Sequence, residues 1–126
     1  EDIKTRERII SDFYYEWKRS NPTQRLFNID LKDYINIRHI SIIETVEHAA
    51  RTYLSTLAVL QLDSILTFAK KVRIVNVKPK DKNQNQFEKM IKMEYELVGI
   101  GKVSLIVGVK RSNKEKVQYC ITAIKT

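Results

Sequence analysis

The residues best suited to acid–base chemistry are two histidines that lie close to arginines in the first half of the chain. Arg38 and His39 are adjacent, and His48 precedes Arg51 by three positions. Histidine can move protons near neutral pH, and the planar guanidinium of arginine can hold two oxygens of a phosphate group. Such residues can support chemistry on a phosphodiester. They are also ordinary on the solvated face of a helix, and the sequence leaves both interpretations open.

A second set of candidate residues lies in the last third of the chain. Thr122 offers a hydroxyl that can orient a phosphate, although a β-branched threonine also suits a strand for reasons of packing alone. Four polar side chains on predicted strands are candidates for contacts with nucleic acid, and they are Lys102, Lys110, Lys116 and Gln118. The three lysines are predicted to contribute to one positive surface. The predicted polar face of the sheet carries Lys102, Ser104, Lys110, Gln118 and Thr122.

Metal and cofactor chemistry has little support. The chain contains two histidines and one cysteine, without the close spacing of a ligand set. No glycine-rich phosphate loop is present, because Gly99 and Gly101 are typical of a hairpin turn. The lone Cys120 has no partner for an internal disulfide, which fits a reducing compartment. We therefore expect no metal, no cofactor and a cytoplasmic location.

The elements that position these residues change type near residue 70. Before that point apolar residues recur at helical spacing, as in Ile10, Tyr14 and Trp17. The capping box that opens at Ser41 predicts a second helix. One face of this helix is predicted to be apolar, with Ile42, Val46, Ala50, Tyr53 and Leu57, and the other to carry Glu44, His48, Arg51 and Ser55.

After residue 72 the apolar residues alternate with polar ones, and in three segments they are all odd-numbered. This alternation predicts strands over residues 91–97, 103–109 and 117–123. A three-residue loop starting at Gly99 is predicted to pair Leu97 with Val103. The largely buried core is predicted to comprise Trp17, Tyr53, Leu57, Leu97, Leu105, Val107, Tyr119 and Ile121.

The predicted fold class is α+β, with N-terminal helices packed on one face of a C-terminal antiparallel β-meander of about four strands. Residues 1–126 are expected to form a single domain, helical over about 1–71 and sheet over about 72–126. Because the chain begins with a glutamate, we favour the C-terminal domain of a longer protein.

Charge is distributed unevenly between the two parts. Residues 1–69 contain 9 Lys and Arg against 10 Asp and Glu, a net charge of −1, whereas residues 70–126 contain 14 against 5, a net charge of +9. A basic surface on a small sheet indicates a polyanionic partner, most often nucleic acid. The longest stretch without a charge, residues 52–62, is too short to span a bilayer, so we expect no membrane contact.

The adjacent Arg38 and His39 precede a long predicted helix, a basic strand and a meander, and the last strand carries the sequence Tyr119-Cys120-Ile121-Thr122 near its end. This order resembles the superfamily of small nucleases that includes barnase, EndoU, colicin-type and RelE-like domains, in particular its phage and mobile-element branches. The resemblance covers about residues 38–125 and implies metal-independent cleavage of RNA. By position, Arg38 and His39 match the family's basic–histidine pair and Thr122 its terminal-strand hydroxyl, whereas His48 and Arg51 match no motif.

The leading hypothesis is a basic domain that binds RNA rather than DNA. In the catalytic form of this hypothesis, the domain is also a metal-independent endoribonuclease of toxin or mobile-element type. There His39 or His48 would move protons and Thr122 would orient the phosphate, while Arg38, Arg51 and Lys102 would stabilise developing charge. The alternative is a non-catalytic nucleic-acid- or protein-binding module of a larger mobile-element protein. A third hypothesis is a basic face that docks an acidic immunity-type protein.

Overall fold

The computed structural model describes residues 2–125, which form four helices and six strands. The helices are α1 (Ile3–Ser20), α2 (His39–Ala49), α3 (Tyr53–Val59) and α4 (Leu62–Phe68). The strands are β1 (Arg25–Asn28), β2 (Asp33–Asn36), β3 (Lys70–Val75), β4 (Phe87–Leu97), β5 (Gly101–Lys110) and β6 (Lys116–Ile124). The α+β class and the mostly N-terminal helices are confirmed. Within the described residues, no helix is long and apolar enough to cross a membrane.

The strands form one sheet in the order β1-β2-β6-β5-β4-β3. Strands β3 to β6 are the predicted antiparallel meander. The predicted number of about four strands is wrong, because the β1–β2 hairpin joins the sheet through a parallel pairing of Asn36 with Val117. The segment between α1 and α2 therefore forms one edge of the sheet, and β3 forms the other edge.

Helix α1 forms where the apolar spacing predicts it. Its first turn is capped by Asp2, whose side chain accepts a hydrogen bond of 2.8 Å from the Thr5 amide. The side chains of Ile10, Tyr14 and Trp17 are buried at helical spacing in the main core cluster. This face anchors the helix to the core.

The predicted second helix is two helices, and it begins earlier than predicted. Helix α2 starts at His39, so Ser41 is its third residue rather than its cap, and Ser41 Oγ accepts a hydrogen bond of 3.0 Å from the Arg38 amide. Thr52 then caps α3 by accepting from the Ser55 amide at 3.1 Å. The chain therefore turns between α2 and α3.

This break changes the faces that were predicted for a continuous helix. Tyr53 was predicted to lie in the core but is 58% exposed, whereas Ser55 was predicted to face solvent but is buried. Ser55 Oγ accepts a hydrogen bond of 2.8 Å from the Ala123 amide and so satisfies a backbone N–H group of β6. Glu44 is also buried, which contradicts its predicted place on the polar face.

The β4–β5 hairpin is shifted by two residues from the predicted register. Leu97 pairs with Gly101 rather than with Val103, and the turn comprises residues 98–100. Gly101 lies inside the strand pairing, where an added Cβ would be 2.4 Å from the carbonyl oxygen of Ile124. Because the shift is by two residues, each side chain keeps its predicted face.

A β-bulge at Tyr119 reverses the alternation in β6. Ile106 pairs with Cys120 and Val107 pairs with Gln118, so Tyr119 is the extra residue. On the N-terminal side of the bulge it is the even-numbered Gln118 that faces the helices, where it is fully buried. The prediction that Gln118 lies on an exposed polar face is therefore wrong.

Two apolar clusters lie on opposite faces of the sheet. The inner face, which packs on the helices, forms the main core with Leu105, Val107 and Ile121. The outer face carries a smaller cluster of Phe87, Met90, Val117 and Tyr119, with Val75 and Val77 packed against it.

Burial of most predicted core residues is confirmed. Trp17, Leu105, Val107 and Ile121 are buried in the main cluster. Tyr119 is buried too, but in the outer cluster, because the bulge turns it away from the helices. The remaining predicted core residues, Leu57 and Leu97, are half-buried.

Candidate functional site

The Arg38 and His39 pair lies at the start of α2, and its two side chains have different surroundings. The Arg38 guanidinium binds Glu115 through both carboxylate oxygens, with Nε–Oε1 at 3.3 Å and Nη2–Oε2 at 2.5 Å. His39 is exposed and lines a groove between α1 and α2 together with Glu7 and Tyr15. A phosphate would have to displace Glu115 before Arg38 could hold it.

His48 lies beside two carboxylates of its own helix. Its Nε2 is 3.4 Å from Glu44 Oε1 and 3.6 Å from Glu47 Oε2. Glu44 is only 4% exposed, and its Oε2 accepts a hydrogen bond of 2.7 Å from the Asn83 side chain in the β3–β4 connection. His48 is therefore held close to two carboxylates, and Arg51 is exposed beyond the end of α2.

Three atoms of this cluster are arranged as ligands of a divalent cation would be. Glu44, Glu47 and His48 each offer one atom, and these atoms lie within 4.8 Å of one another. Their i, i+3, i+4 spacing places them on one helix face and was visible in the sequence. Contacts between side chains three and four residues apart on one helix face also form without a bound ion, which accounts for the arrangement.

Two other groups near Glu44 resist ionisation. Burial raises the pKa of the Tyr119 phenol well above its ordinary value, and a hydrogen bond with Glu44 raises it further. Burial also raises the pKa of the Cys120 thiol to about 12, with a smaller contribution from the charge of Glu44. Neither group is therefore prepared as a nucleophile near neutral pH.

Thr122 lies on the outer face of the sheet, in a shallow groove. The groove is lined by Lys92, Glu94, Lys102 and Ser104. Ser104 and Thr122 are directly opposed in the β5–β6 register, so their hydroxyls share one face. Among the described residues, the lining includes neither histidine, nor Arg38, nor Arg51.

The edge strand β3 extends this polar face with two further cations. Lys70 is paired with Glu94, and Arg73 is paired with Lys92, so all four side chains project from the outer face. Both β3 residues are exposed. We name the outer basic face for its six members, which are Lys70, Arg73, Lys92, Lys102, Ser104 and Thr122.

The lysines predicted to share one positive surface lie apart. Lys110 is at the opposite end of β5 from Lys102, about 26 Å along the strand, and its Nζ is 3.9 Å from Glu115. Lys116 is paired with the inner-face residue Val109 and donates a hydrogen bond of 2.6 Å to Asp33. The predicted common surface is therefore wrong for Lys116, and of the three only Lys102 belongs to the outer basic face.

The sequence contained the signal for one cation that the predictions missed. Lys92 has the same even parity in β4 as Lys102 has in β5, which places both on one face. Lys70 and Arg73 could not be assigned this way, because a bulge between Lys71 and Arg73 breaks the alternation.

In comparisons with known proteins, no family model, curated protein or solved structure matches this chain. The functional assignment therefore depends on the residues and their geometry, and the resemblance to small nucleases stays a prediction.

Proposed function

We propose that this chain is a basic module that binds RNA through its phosphate backbone, on the outer basic face, without cleaving it. The observation that carries the proposal is the placement of four cations and two hydroxyls on one exposed face of three neighbouring strands and the start of a fourth. Phosphate contacts from Lys and Arg provide most of the affinity in nonspecific binding of nucleic acid.

Four cations share this face with two carboxylates, Glu94 and Glu96, the second being the cross-strand partner of Lys102, so 4 − 2 leaves a net charge of +2. Glu94 lies between two lysines, with an oxygen 3.7 Å from Lys92 Nζ and another 3.8 Å from Lys102 Nζ. Ion pairs at partly exposed positions are worth little, so either ammonium can exchange this carboxylate for a phosphate. Lys70 and Arg73 add two exposed positive charges at the edge of the sheet.

The hydroxyl pair favours RNA over DNA as the partner. Ser104 and Thr122 are half-buried cross-strand neighbours, and each hydroxyl can donate to a phosphate oxygen or exchange hydrogen bonds with a ribose 2′-OH. The 2′-OH is the group by which a protein distinguishes RNA from DNA at a given position. We therefore expect tighter binding of RNA than of DNA of the same sequence.

We propose binding without cleavage because, in the part of the chain that the structure describes, neither histidine lines the groove that contains Thr122. General acid–base catalysis needs a proton carrier within one hydrogen bond, or one bridging water, of the reacting group. His39 lines the groove between α1 and α2, and His48 is paired with Glu44 and Glu47. This separation favours the non-catalytic module over the endoribonuclease.

The test is the affinity for a labelled, mixed-sequence single-stranded RNA, measured by fluorescence anisotropy over a range of salt concentrations. Replacing Lys92→Glu and Lys102→Glu together should weaken binding at least tenfold. It should also flatten the slope of log affinity against log salt by about 1.4, since each lost phosphate contact removes about 0.7.

A matched control changes the net charge equally on helix α1, outside the outer basic face. Lys4 and Arg8 are exposed on α1, which contributes no residue to the outer basic face. The Lys4→Glu/Arg8→Glu variant should retain most of the affinity and the slope. Equal losses in both double variants would show that net charge alone drives binding, and would overturn the proposed site.

A further inference from the structure

Two aromatic rings and an arginine are exposed together on the β1–β2 hairpin. Phe27 and Tyr34 are cross-strand partners whose ring centroids are 5.4 Å apart, in an edge-to-face arrangement. They are 45% and 40% exposed, although aromatic rings of this size are usually buried. Ile29, just after β1, is exposed as well.

Arg25 completes this group by stacking on Tyr34. Its guanidinium carbon is 3.9 Å from the centroid of the Tyr34 ring, which is the geometry of a cation–π contact. Arg25 is itself exposed, and within residues 2–125 no carboxylate lies within 4.0 Å of its guanidinium. The cation is therefore held in place by an aromatic ring. Its charge also reaches Asp33, whose pKa is lowered by a hydrogen bond from Lys116 and, to a smaller extent, by Arg25.

The three side chains lie on the same face of the sheet as the outer basic face. Arg25 is paired with Asn36, and Asn36 is paired with the outer-face residue Val117, so Arg25 projects from the outer face. Phe27 and Tyr34 lie two residues along their strands from Arg25 and Asn36 and therefore project from the same face. From Tyr34 to Ser104 the distance is about 20 Å along the strands and about 10 Å across them. A single strand of several nucleotides can span that distance, whereas one nucleotide cannot.

We infer that Phe27, Tyr34 and Arg25 form a stacking platform for the bases of single-stranded RNA. The inference rests on the proposed function, which supplies the phosphate contacts, and it specifies the substrate as unpaired RNA. Bases of any type stack on aromatic rings and on guanidinium planes, and only unpaired bases expose the faces required for stacking. The outer basic face binds the phosphate backbone of the RNA, and the platform stacks on the unpaired bases of the same strand.

The test compares single-stranded and duplex RNA of matched length against the Phe27→Ala and Tyr34→Ala variants. Each variant should bind single-stranded RNA about 5- to 150-fold more weakly, as expected for the loss of one stacked base. The salt slope should stay unchanged, because no cation is removed. Binding of duplex RNA should change less than threefold.

The matched control is Tyr53→Ala, which removes an exposed tyrosine from α3, outside the platform. Circular dichroism confirms that each variant is folded before its affinity is compared. Unchanged affinity in both platform variants, while the lysine variants still lose binding, would overturn the platform and leave the proposed function standing. If the wild-type chain binds no RNA, both fall.

A protein partner for the same rings would give a different result. Sedimentation velocity of the wild-type chain should show a monomer at micromolar concentration. A dimer that Tyr34→Ala dissociates would assign the rings to self-association and would overturn the inference.

Discussion

The hydroxyl of Tyr14 donates a hydrogen bond of 2.5 Å to Oε1 of Gln118, between helix α1 and strand β6. The Gln118 amide in turn donates to Thr45 Oγ1 at 2.9 Å, so the network joins α1, β6 and α2. All three residues are fully buried. Burial raises the pKa of Tyr14, which keeps its hydroxyl protonated as a donor. The bulge at Tyr119 is what allows Gln118 to face this network.

Tyr14→Phe should destabilise the chain by about 1–3 kcal/mol, because Gln118 Oε1 would lose the donor that satisfies it inside the core. The free energy of unfolding is measured by urea denaturation followed by circular dichroism. The neighbouring Tyr15 is 54% exposed, so Tyr15→Phe serves as the control and should change stability by less than about 0.5 kcal/mol. Equal effects in the two variants would exclude a structural role for the network.

The alternation of apolar residues was sufficient to predict the meander and the inner-face positions of Leu105 and Ile121. It could not predict the place of Gln118, because a bulge depends on contacts between distant segments rather than on local pattern. The capping signal at Ser41 correctly indicated that a helix starts nearby. The helix starts at His39, because Arg38 rather than Ser41 is the N-cap residue and donates its amide hydrogen bond to Ser41 Oγ. The turn that exposes Tyr53 depends on Thr52, which caps α3. The helical spacing of apolar residues continues across this turn, so the sequence pattern did not indicate it.

The candidate site could be predicted from the sequence only where the strands keep a regular alternation of odd- and even-numbered residues between the two faces. Lys102 and Thr122 were placed correctly on the polar face, since the strands around them are regular. His39 was grouped with them through the resemblance to nucleases and His48 through its predicted place on the polar helix face, whereas α2 holds His48 against glutamates instead. The aromatic platform was missed because β2 joins the sheet through a single parallel pairing, which no local pattern predicts.

Gly101→Ala should destabilise the chain by about 1–3 kcal/mol more than Gly99→Ala. Both glycines have positive φ, at +132° and +83°, so both substitutions introduce backbone strain. Only the Cβ at residue 101 would also meet a backbone atom, the Ile124 oxygen, which cannot rotate away. Thermal and urea unfolding of the two variants measures the difference. If Gly99→Ala proves the more damaging, the close approach of β5 to the end of β6 is not present in solution.

Cys120 should make the chain less stable in alkali. Its folded pKa of about 12 lies above the ordinary value of 9.0, so the thiol is protonated in both states below pH 9 and its contribution is complete there. Above pH 9 the unfolded thiol ionises while the folded one does not, and stability is lost until pH 12. Between pH 9 and pH 10, the wild-type chain should lose about 1 kcal/mol relative to Cys120→Ala.

The measurement for Cys120 is the free energy of unfolding in urea at both pH values, under reducing conditions. The tyrosines and lysines that also titrate are common to both chains, so their contributions cancel in the difference. A difference that is constant between pH 9 and pH 10 would mean that solvent reaches the thiol in the folded state.

RNA incubated with the chain in the presence of a chelator should remain intact. The reason is geometric, since neither His39 nor His48 lines the groove that contains Thr122 and the phosphate-binding lysines. Gel analysis of labelled RNA over several hours measures cleavage, and the Lys92→Glu/Lys102→Glu variant, purified in parallel, reports any contaminating ribonuclease. His39→Ala should bind RNA as tightly as the wild-type chain. Chelator-resistant cleavage that disappears in His39→Ala or His48→Ala would instead restore the endoribonuclease, and would require α2 to approach the outer basic face when RNA is bound.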